Sequence, residues 1–152
     1  MSGFTLRNYR DNDFDATVAL WREAWEAAMP EIDFAARLPW WRKRWVEEIV
    51  PGNRIAVAEA EGRVVGCVVI DPRSAYLDQI VVEPAFWGSG IADALLDDAK
   101  RTCPTGILLY VNQDNARAIR FYERAGFVRE KAGTNPLSGH PTWQYQWRPD
   151  SR

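Results

Sequence analysis

The sequence predicts a single α/β (α+β) domain, in which one central mixed, mostly antiparallel sheet of about six to seven strands packs against about four helices. Short β-branched runs alternate with runs of helical periodicity along the whole chain, which is typical of this class. Residues 1–152 contain no linker, internal repeat or low-complexity segment that would divide them. A chain of 152 residues also has the common length of one domain.

The N-terminal third is predicted to form one strand and two helices. Residues 5–9 alternate like a strand, β1, and the polar residues 11–13 are suited to cap the next helix. A second helix, α2, is expected from about residue 33 to 50, with Pro39 kinking or splitting it. The first helix, α1, is predicted by apolar residues that step by four and three along one face: Phe14, Val18, Trp21, Trp25 and Ala28.

The rest of the chain is predicted to begin with a hairpin and to end with two strands. Residues 54–60 (β2) and 63–71 (β3) are rich in β-branched residues, and Glu61-Gly62 between them favours a tight antiparallel turn. The predicted order is β1-α1-α2-β2-β3-β4-α3-β5-α4-β6-β7. Its later members are strand 75–82 (β4), a helix from 91 to about 102 (α3), strand 106–111 (β5), helix 115–125 (α4) and strands 127–131 (β6) and 142–147 (β7).

Charge and composition exclude several classes of function. A formal net charge of -2 provides no positive field for a nucleic-acid backbone or an anionic membrane, so neither is expected as a partner. The N-terminus lacks the pattern of a secretory signal and no apolar stretch is long enough to cross a bilayer, which favours a cytoplasmic protein. Cys67, Cys103 and the single histidine, His140, form no metal-ligand pattern, so no metal is expected.

A glycine-bearing segment between β4 and α3 is the strongest chemical signal in the chain. Small residues at positions 88, 90 and 92 let the backbone approach a ligand closely. The helix that starts near Ile91 directs its free N–H groups and the positive end of its dipole to the same place, which favours a bound pyrophosphate. A dinucleotide site is disfavoured because the turn lies in mid-chain and the next strand ends at Asn112 without an acidic residue.

The segment around this turn, with a second run at 111–127, closely resembles the GNAT (GCN5-related N-acetyltransferase) superfamily. The family's pyrophosphate loop, Gln/Arg-x-x-Gly-x-Gly/Ala, matches the run from Trp87 to Ala92 except that Trp87 stands at the Gln/Arg position. The resemblance implies the GNAT fold, an acetyl-CoA cosubstrate and no metal. It also implies an enzyme of the acyltransferase class that acetylates amines.

The resemblance carries site residues over position by position. It implies a pyrophosphate loop formed by Gly88, Ser89, Gly90, Ile91, Ala92 and Asp93, and a strand that pairs with the pantetheine arm formed by Ile80, Val81 and Val82. Asn115 corresponds to an asparagine near the pantetheine, and Tyr122 to a tyrosine near the thiol sulfur. Both also have plain structural alternatives, since an asparagine can cap a helix and a tyrosine can pack in a core.

The expected reaction is attack of a neutral primary amine on the thioester, which needs an acid, a base and a polarised carbonyl. Tyr122 is the candidate acid, and backbone N–H groups of residues 80–82 would polarise the carbonyl. Asp78 is the candidate base because, by the strand period of two, it shares a face with Ile80 and Val82. Glu59 and deprotonation through a water chain are alternatives.

The acceptor is expected to be a small-molecule amine that binds between the N-terminal helices and the loop 133–141. Glu23, Glu26 and Glu31 are candidate partners for an ammonium group, and the tryptophans of α1 and α2 are candidate pocket walls. A peptide or protein amine, and a non-catalytic acyl-CoA sensor, are the alternative functions. A homodimer is compatible with the sequence, although no apolar surface identifies an interface.

Overall fold

The computed structural model describes residues 3–136 and 138–149, and within them seven strands and four main helices follow the predicted order. The strands are β1 (Thr5–Asn8), β2 (Arg54–Ala60), β3 (Arg63–Ile70), β4 (Leu77–Val82), β5 (Ile107–Asn112), β6 (Val128–Thr134) and β7 (Pro141–Trp147). The helices are α1 (Phe14–Ala28), α2 (Phe34–Arg44), α3 (Ile91–Thr102) and α4 (Ala116–Arg124). None of the helices in this part of the chain is both long and apolar enough to cross a membrane.

The sheet is mixed and mostly antiparallel, as predicted, but its hydrogen bonding is interrupted between β4 and β5. Antiparallel pairing joins β1-β2-β3-β4 in one sheet and β5-β7-β6 in the other. A parallel bridge between Tyr76 and Leu108, with a 2.9 Å hydrogen bond from the Leu108 N–H to the Ala75 carbonyl, joins the two sheets. Beyond this bridge β4 and β5 separate, and a cleft opens along the edge of β4.

A hairpin turn and a β-bulge fix how β2, β3 and β4 align. Glu61 and Gly62 both have positive φ, 56° and 76°, as a tight hairpin turn requires. In β4 the register passes from Val69 opposite Gln79 to Ile70 opposite Leu77, so Asp78 is the extra residue of a β-bulge. Because of this extra residue, the strand residues before Asp78 face the opposite side of the sheet from the side that regular alternation would give them.

Two hydrophobic cores lie on opposite faces of the sheets. One packs α3 and α4 against residues that include Val68, Leu77, Val82 and Leu109. The other packs α1 and α2 against Val57, Val69 and Val81, and buries three large indoles, those of Trp21, Trp41 and Trp45. Burial of apolar surface on both faces holds the helices in fixed positions around the cleft.

The second helix begins where it was expected, whereas the start of the first helix differs from the expectation. Asp33 caps α2 by accepting the Ala36 N–H at 3.1 Å. Asp13, however, accepts the N–H of Arg10 at 2.8 Å and the guanidinium of Arg7, so it closes a 3-10 turn rather than capping α1.

Pro39, which was expected to kink or split the second helix, does not split it. Helix α2 continues through Pro39 to Arg44, then widens into a π-helical segment, Trp45–Ile49, and ends in a last turn, Val50–Gly52. Proline removes one backbone hydrogen bond, and burial of Trp41 and Trp45 on the core side of the helix offsets that loss.

Candidate active site

The turn before α3 presents a set of free backbone N–H groups. Gly88 and Gly90 have φ of 81° and 92°, a conformation that glycine adopts without strain. The N–H groups of both glycines and of the first three residues of α3 form no hydrogen bond within the described residues. Ser89 is bound differently, because its N–H and its hydroxyl both donate to the Phe86 carbonyl. Together with the helix dipole, the free N–H groups form a cradle for an anion.

A cavity of about 580 Å³, the cofactor cavity, extends from this turn along α4. Its lining includes three arginines of α4, Arg117, Arg120 and Arg124, and a single carboxylate, that of Asp93. None of the three arginines forms an ion pair with another described residue. Although the formal net charge of the chain is -2, this cavity is therefore positively charged and suited to an anionic ligand.

Trp87 and Arg117 form a pair at the wall of the cofactor cavity. The Trp87 indole N–H donates to the Val82 carbonyl at 2.9 Å, and the Arg117 guanidinium lies 3.7 Å from the centroid of the indole ring. Burial and the neighbouring charge of Arg120 lower the pKa of Arg117, which nevertheless remains a cation at neutral pH. The pair fixes a positive charge beside the glycine turn, where the loop itself supplies none.

A narrow slot of about 100 Å³ lies between β4 and β5 and continues from the cofactor cavity. Ile80, Val82 and Tyr122 line both. The Tyr122 ring packs edge-on against Phe121 and Phe127, and its hydroxyl has no hydrogen-bond partner among the residues described. Burial raises the pKa of Tyr122 well above that of an ordinary phenol, so the hydroxyl is protonated at neutral pH.

Asp78 also lines the slot, but it does not have the surroundings that a regular strand would give it. Because of the bulge, its carboxylate lies on the α2 side, where the Arg44 guanidinium donates to both oxygens at 3.1 and 2.5 Å. The Asp78 side chain is 7% exposed. The expectation that Asp78 shares a face with Ile80 and Val82 is therefore wrong, and its carboxylate is a buried member of an ion pair.

The two other polar candidates have structural partners. Asn115 is the N-cap of α4, and its side-chain oxygen accepts the Ala118 N–H at 3.2 Å, although the residue also lines the slot. Glu59 lies 3.5 Å from Arg7 and lines none of the three described cavities. The capping alternative for Asn115 is thus realised, and Glu59 is remote from the slot.

A third cavity, of about 310 Å³ and here called the aromatic cavity, lies between α1, α2 and the loop after β6. Trp25, Asp78 and Gln79 line both this cavity and the slot. The Trp25 indole N–H donates to Gln79 at 3.0 Å, which fixes the junction. The rest of the lining includes six aromatic or basic residues, namely Trp21, Phe34, Arg37, Trp40, Trp41 and Arg44.

The structure brings together most of the predicted site and adds residues that the sequence did not indicate. Ile80, Val82, Gly88, Gly90, Ala92, Asp93 and Tyr122 line the cofactor cavity. Val81 lines the slot, while Ile91 points into the core and Ser89 into its own turn. The arginines of α4 and α2 and Gln79 were missed, because their neighbours in the sequence do not distinguish them from solvent-facing residues. For α4 one signal was available, the i, i+3, i+7 spacing of Arg117, Arg120 and Arg124.

Several sequence-based expectations about the acceptor region have a different outcome. Glu23, Glu26 and Glu31 do not line the aromatic cavity, and Glu26 pairs with Arg22 at 3.0 Å instead. From the expected loop, Asn135, Pro136 and Ser138 line the cavity, whereas Leu137 lies outside the described residues. Within residues 3–136 and 138–149, no group of three or more His, Cys, Asp and Glu side chains is placed to hold a metal.

Similarity to known proteins covers most of the chain. A model of the Acetyltransferase (GNAT) family matches residues 14–127. An uncharacterized N-acetyltransferase of Mycobacterium tuberculosis is 33% identical over 97 residues, which are 59% of this chain and 62% of that protein, so the match spans less than two thirds of the relative's length.

Two solved structures share the fold along nearly their whole length. PaiA N-acetyltransferase from Thermoplasma acidophilum, in complex with coenzyme A, has a TM-score of 0.78 and 15% identity over 96% of this chain and 99% of its own. The apo form of YjaB from Escherichia coli has a TM-score of 0.77 and 21% identity over 95% of this chain and 97% of its own. At these identities the likeness shows the fold alone.

Proposed function

Because the chain belongs to the GNAT family of acetyltransferases, we propose that it transfers an acetyl group from acetyl-CoA to the primary amine of a small molecule. The observation that carries the proposal is the continuity of the three cavities. The cofactor cavity meets the slot at Tyr122, and the slot meets the aromatic cavity at Asp78 and Gln79. The chain thus provides two binding spaces that open onto one another beside a protonated phenol.

The cofactor cavity suits acetyl-CoA, which when bound supplies an acetyl group activated as a thioester. The free N–H groups of Gly88, Gly90 and residues 91–93 match a pyrophosphate, and the arginines of α4, which form no ion pair with another described residue, match its charge. The free edge of β4 at Ile80, Val81 and Val82 matches the amides of a pantetheine arm. The coenzyme A bound to the similar T. acidophilum protein supports this assignment.

In this proposal Tyr122 is the acid that protonates the departing thiolate. Its hydroxyl faces the cavity without a competing partner among the described residues, and burial keeps its pKa above that of a free phenol. A protonated donor with a raised pKa remains available throughout the neutral range. Backbone N–H groups of residues 80–82 hold the carbonyl oxygen on the other side.

We propose that the acceptor amine loses its proton to water in the slot rather than directly to a carboxylate. Both oxygens of Asp78 accept hydrogen bonds from Arg44, so in this proposal the carboxylate orients the junction and is not the base. Glu59 lies outside the cavities.

A cytoplasmic location and a single domain over residues 1–152 remain parts of the same proposal. Residues 1, 2, 137 and 150–152 lie outside the residues that the structure describes.

The test is release of CoA thiol from acetyl-CoA across a panel of primary amines and peptides, with Tyr122→Phe beside the wild type. We expect kcat of Tyr122→Phe to fall about 100-fold, the scale of a lost general acid, while the Kd for acetyl-CoA changes little. Tyr145→Phe is the matched control, because the Tyr145 hydroxyl is bound to Glu123 and Arg129 and lines none of the three cavities.

Three results would change the proposal. An unchanged kcat in Tyr122→Phe would remove the acid role. Faster turnover of peptides than of free amines would assign a peptide acceptor. Tight acetyl-CoA binding with no amine-dependent release of thiol would assign a non-catalytic sensor.

A further inference from the structure

The aromatic cavity contains a positive charge that no described residue pairs with. Its charged lining within the described chain consists of Arg37, Arg44 and Asp78. Arg44 and Asp78 neutralise each other through two hydrogen bonds. Arg37 forms no hydrogen bond or ion pair with a described residue, and its guanidinium only approaches the Phe34 ring, at 5.5 Å from the centroid. The cavity therefore carries one net positive charge.

This charge argues against a polyamine as the acceptor. The acidic residues that would attract several ammonium groups, Glu23, Glu26 and Glu31, do not line the cavity. A ligand with more than one ammonium group would meet Arg37 in a partly buried space, where like charges repel more strongly than in water. A ligand with one amine and one anionic group would instead offer each charge a partner.

We propose that the acceptor is an amino carboxylate, and that Arg37 binds its carboxylate. Guanidinium groups bind carboxylates with two parallel hydrogen bonds, which fixes orientation as well as charge. This inference rests on the proposed function and names the substrate class of the same site. Arg37 is a specificity-determining residue in it, since it binds the acceptor remote from the reacting atoms.

The part of the cavity that meets the slot suits the amine. Asp78 and Gln79 line the cavity where it opens into the slot, and their side chains are joined by a 3.3 Å hydrogen bond from the Gln79 amide. A carboxylate and an amide oxygen here provide acceptors for an ammonium or amine. The acceptor thus lies with its carboxylate at Arg37 and its amine toward the slot.

The walls indicate what lies between the two charges. Trp21, Trp25 and Phe34 form a packed aromatic surface, with Trp21 edge-on to Phe34 at 5.5 Å and Trp25 stacked on it at 5.8 Å. The volume of 310 Å³ is at the small end of ligand cavities, which span roughly 300–1,000 Å³. An amino acid with an apolar or aromatic side chain matches both features.

The experiment compares each amino acid with the amine that lacks only its carboxylate: phenylalanine with phenethylamine, tryptophan with tryptamine, and leucine with isoamylamine. CoA-thiol release gives kcat/KM for each member of a pair. We expect at least one amino acid to exceed its amine by about 10- to 100-fold, the scale of a charge-assisted bidentate contact.

Arg37→Gln tests whether this residue causes the preference. We expect the KM for the amino acid to rise about 10- to 100-fold, while kcat and the Kd for acetyl-CoA change little. The KM for the paired amine should stay unaltered. Arg37→Lys should restore part of the preference. Arg42→Gln, on the same helix but outside the cavity and paired with Asp15 at 3.7 Å, is the matched control.

The outcomes separate this inference from the proposed function. Amines acetylated as well as or better than their amino acids would overturn the carboxylate inference and leave the acetyltransferase intact. A preference for amino acids that persists in Arg37→Gln would overturn the role of Arg37. Absence of turnover with every acceptor, although acetyl-CoA binds, would overturn both.

Discussion

The contact between Trp87 and Arg117 gives the cofactor cavity a cation that the glycine turn itself lacks. The guanidinium lies over the indole at 3.7 Å, and the indole is anchored to β4 by its hydrogen bond to Val82. The family's loop begins with Gln or Arg at the position of Trp87. We infer that in this chain α4 supplies through space the polar group that the loop position does not.

Arg117→Ala is therefore expected to weaken CoA binding about 10-fold, because one charge-assisted contact with a phosphate is lost. Isothermal titration calorimetry with CoA measures the effect. Arg101→Ala is the control, since Arg101 is an exposed residue of α3 that lies 3.7 Å from Asp98 and does not line the cavity. Equal Kd values for the wild type and Arg117→Ala would show that Arg117 only packs on Trp87.

The role of Asp78 depends on a single extra residue in the backbone. In a regular strand its carboxylate would lie beside Ile80 and Val82, whereas the bulge turns it toward Arg44 of α2. The same bulge ties the second helix to the junction between slot and aromatic cavity. A carboxylate that looks like a base from its spacing is thus a fixed part of the wall.

Among the elements, α3 packs against β3 at Gly66, where no room remains for a side chain. A Cβ at Gly66 would lie 2.9 Å from Ile91 Cγ2 and 3.0 Å from Leu95 Cδ1. Both side chains are buried, so they have little room to move. The glycine therefore sets the position of α3, and with it the position of the turn at residues 88–90.

Gly66→Ala is expected to lower the free energy of unfolding by about 1–3 kcal/mol, as overpacking does in a dense core. It should also weaken CoA binding, because α3 must shift. Urea denaturation and calorimetry measure the two effects. Gly52→Ala is the matched control, since its added Cβ would meet only the end of the Arg73 side chain at 3.4 Å. A change below about 0.5 kcal/mol in Gly66→Ala would mean that α3 adjusts freely.

For the whole molecule, the Arg7–Asp13 pair links the first strand to the start of α1. Arg7 donates to both oxygens of Asp13 at 2.9 Å, and these hydrogen bonds lower the pKa of Asp13, against the opposing effect of burial. An aspartate in the unfolded chain has an ordinary pKa of about 3.9. At pH values between the lowered pKa of folded Asp13 and this ordinary pKa, the unfolded chain therefore binds a proton that the folded chain does not. The stability from this pair is present above about pH 4 and is lost as the pH falls through the lowered pKa.

Asp13→Asn should accordingly lose about 2 kcal/mol of unfolding free energy at pH 7, the scale of charge-assisted hydrogen bonds. The difference from the wild type should shrink below about pH 4, as measured by urea denaturation at a series of pH values. Asp15→Asn is the control, because Asp15 is 89% exposed in its ion pair with Arg42. A difference for Asp13→Asn that is independent of pH would show that charge is not its cause.

How much of the site was predictable follows from the range of the interactions involved. The glycine turn, α3 and the strand 80–82 were predictable because neighbouring residues alone specify a turn, a helix start and an extended run. Tyr122 was predicted from its place in a motif, and its role stays a prediction. Local patterns do not specify contacts between residues that are far apart in the chain. Three features depend on such contacts: the bulge at Asp78, the arginine that faces Trp87, and the charge of Arg37, which no described residue pairs with.

The sequence by itself determined the order of elements, the hairpin turn and the glycine turn before α3, because hydrophobic period, helix ends and glycine conformation are local properties. Only the tertiary structure decided where the sheet opens, which charged groups neutralise each other and which cavity keeps a net charge. Those outcomes depend on how α1, α2 and α4 pack around the gap between β4 and β5, and packing pairs residues irrespective of their separation along the chain.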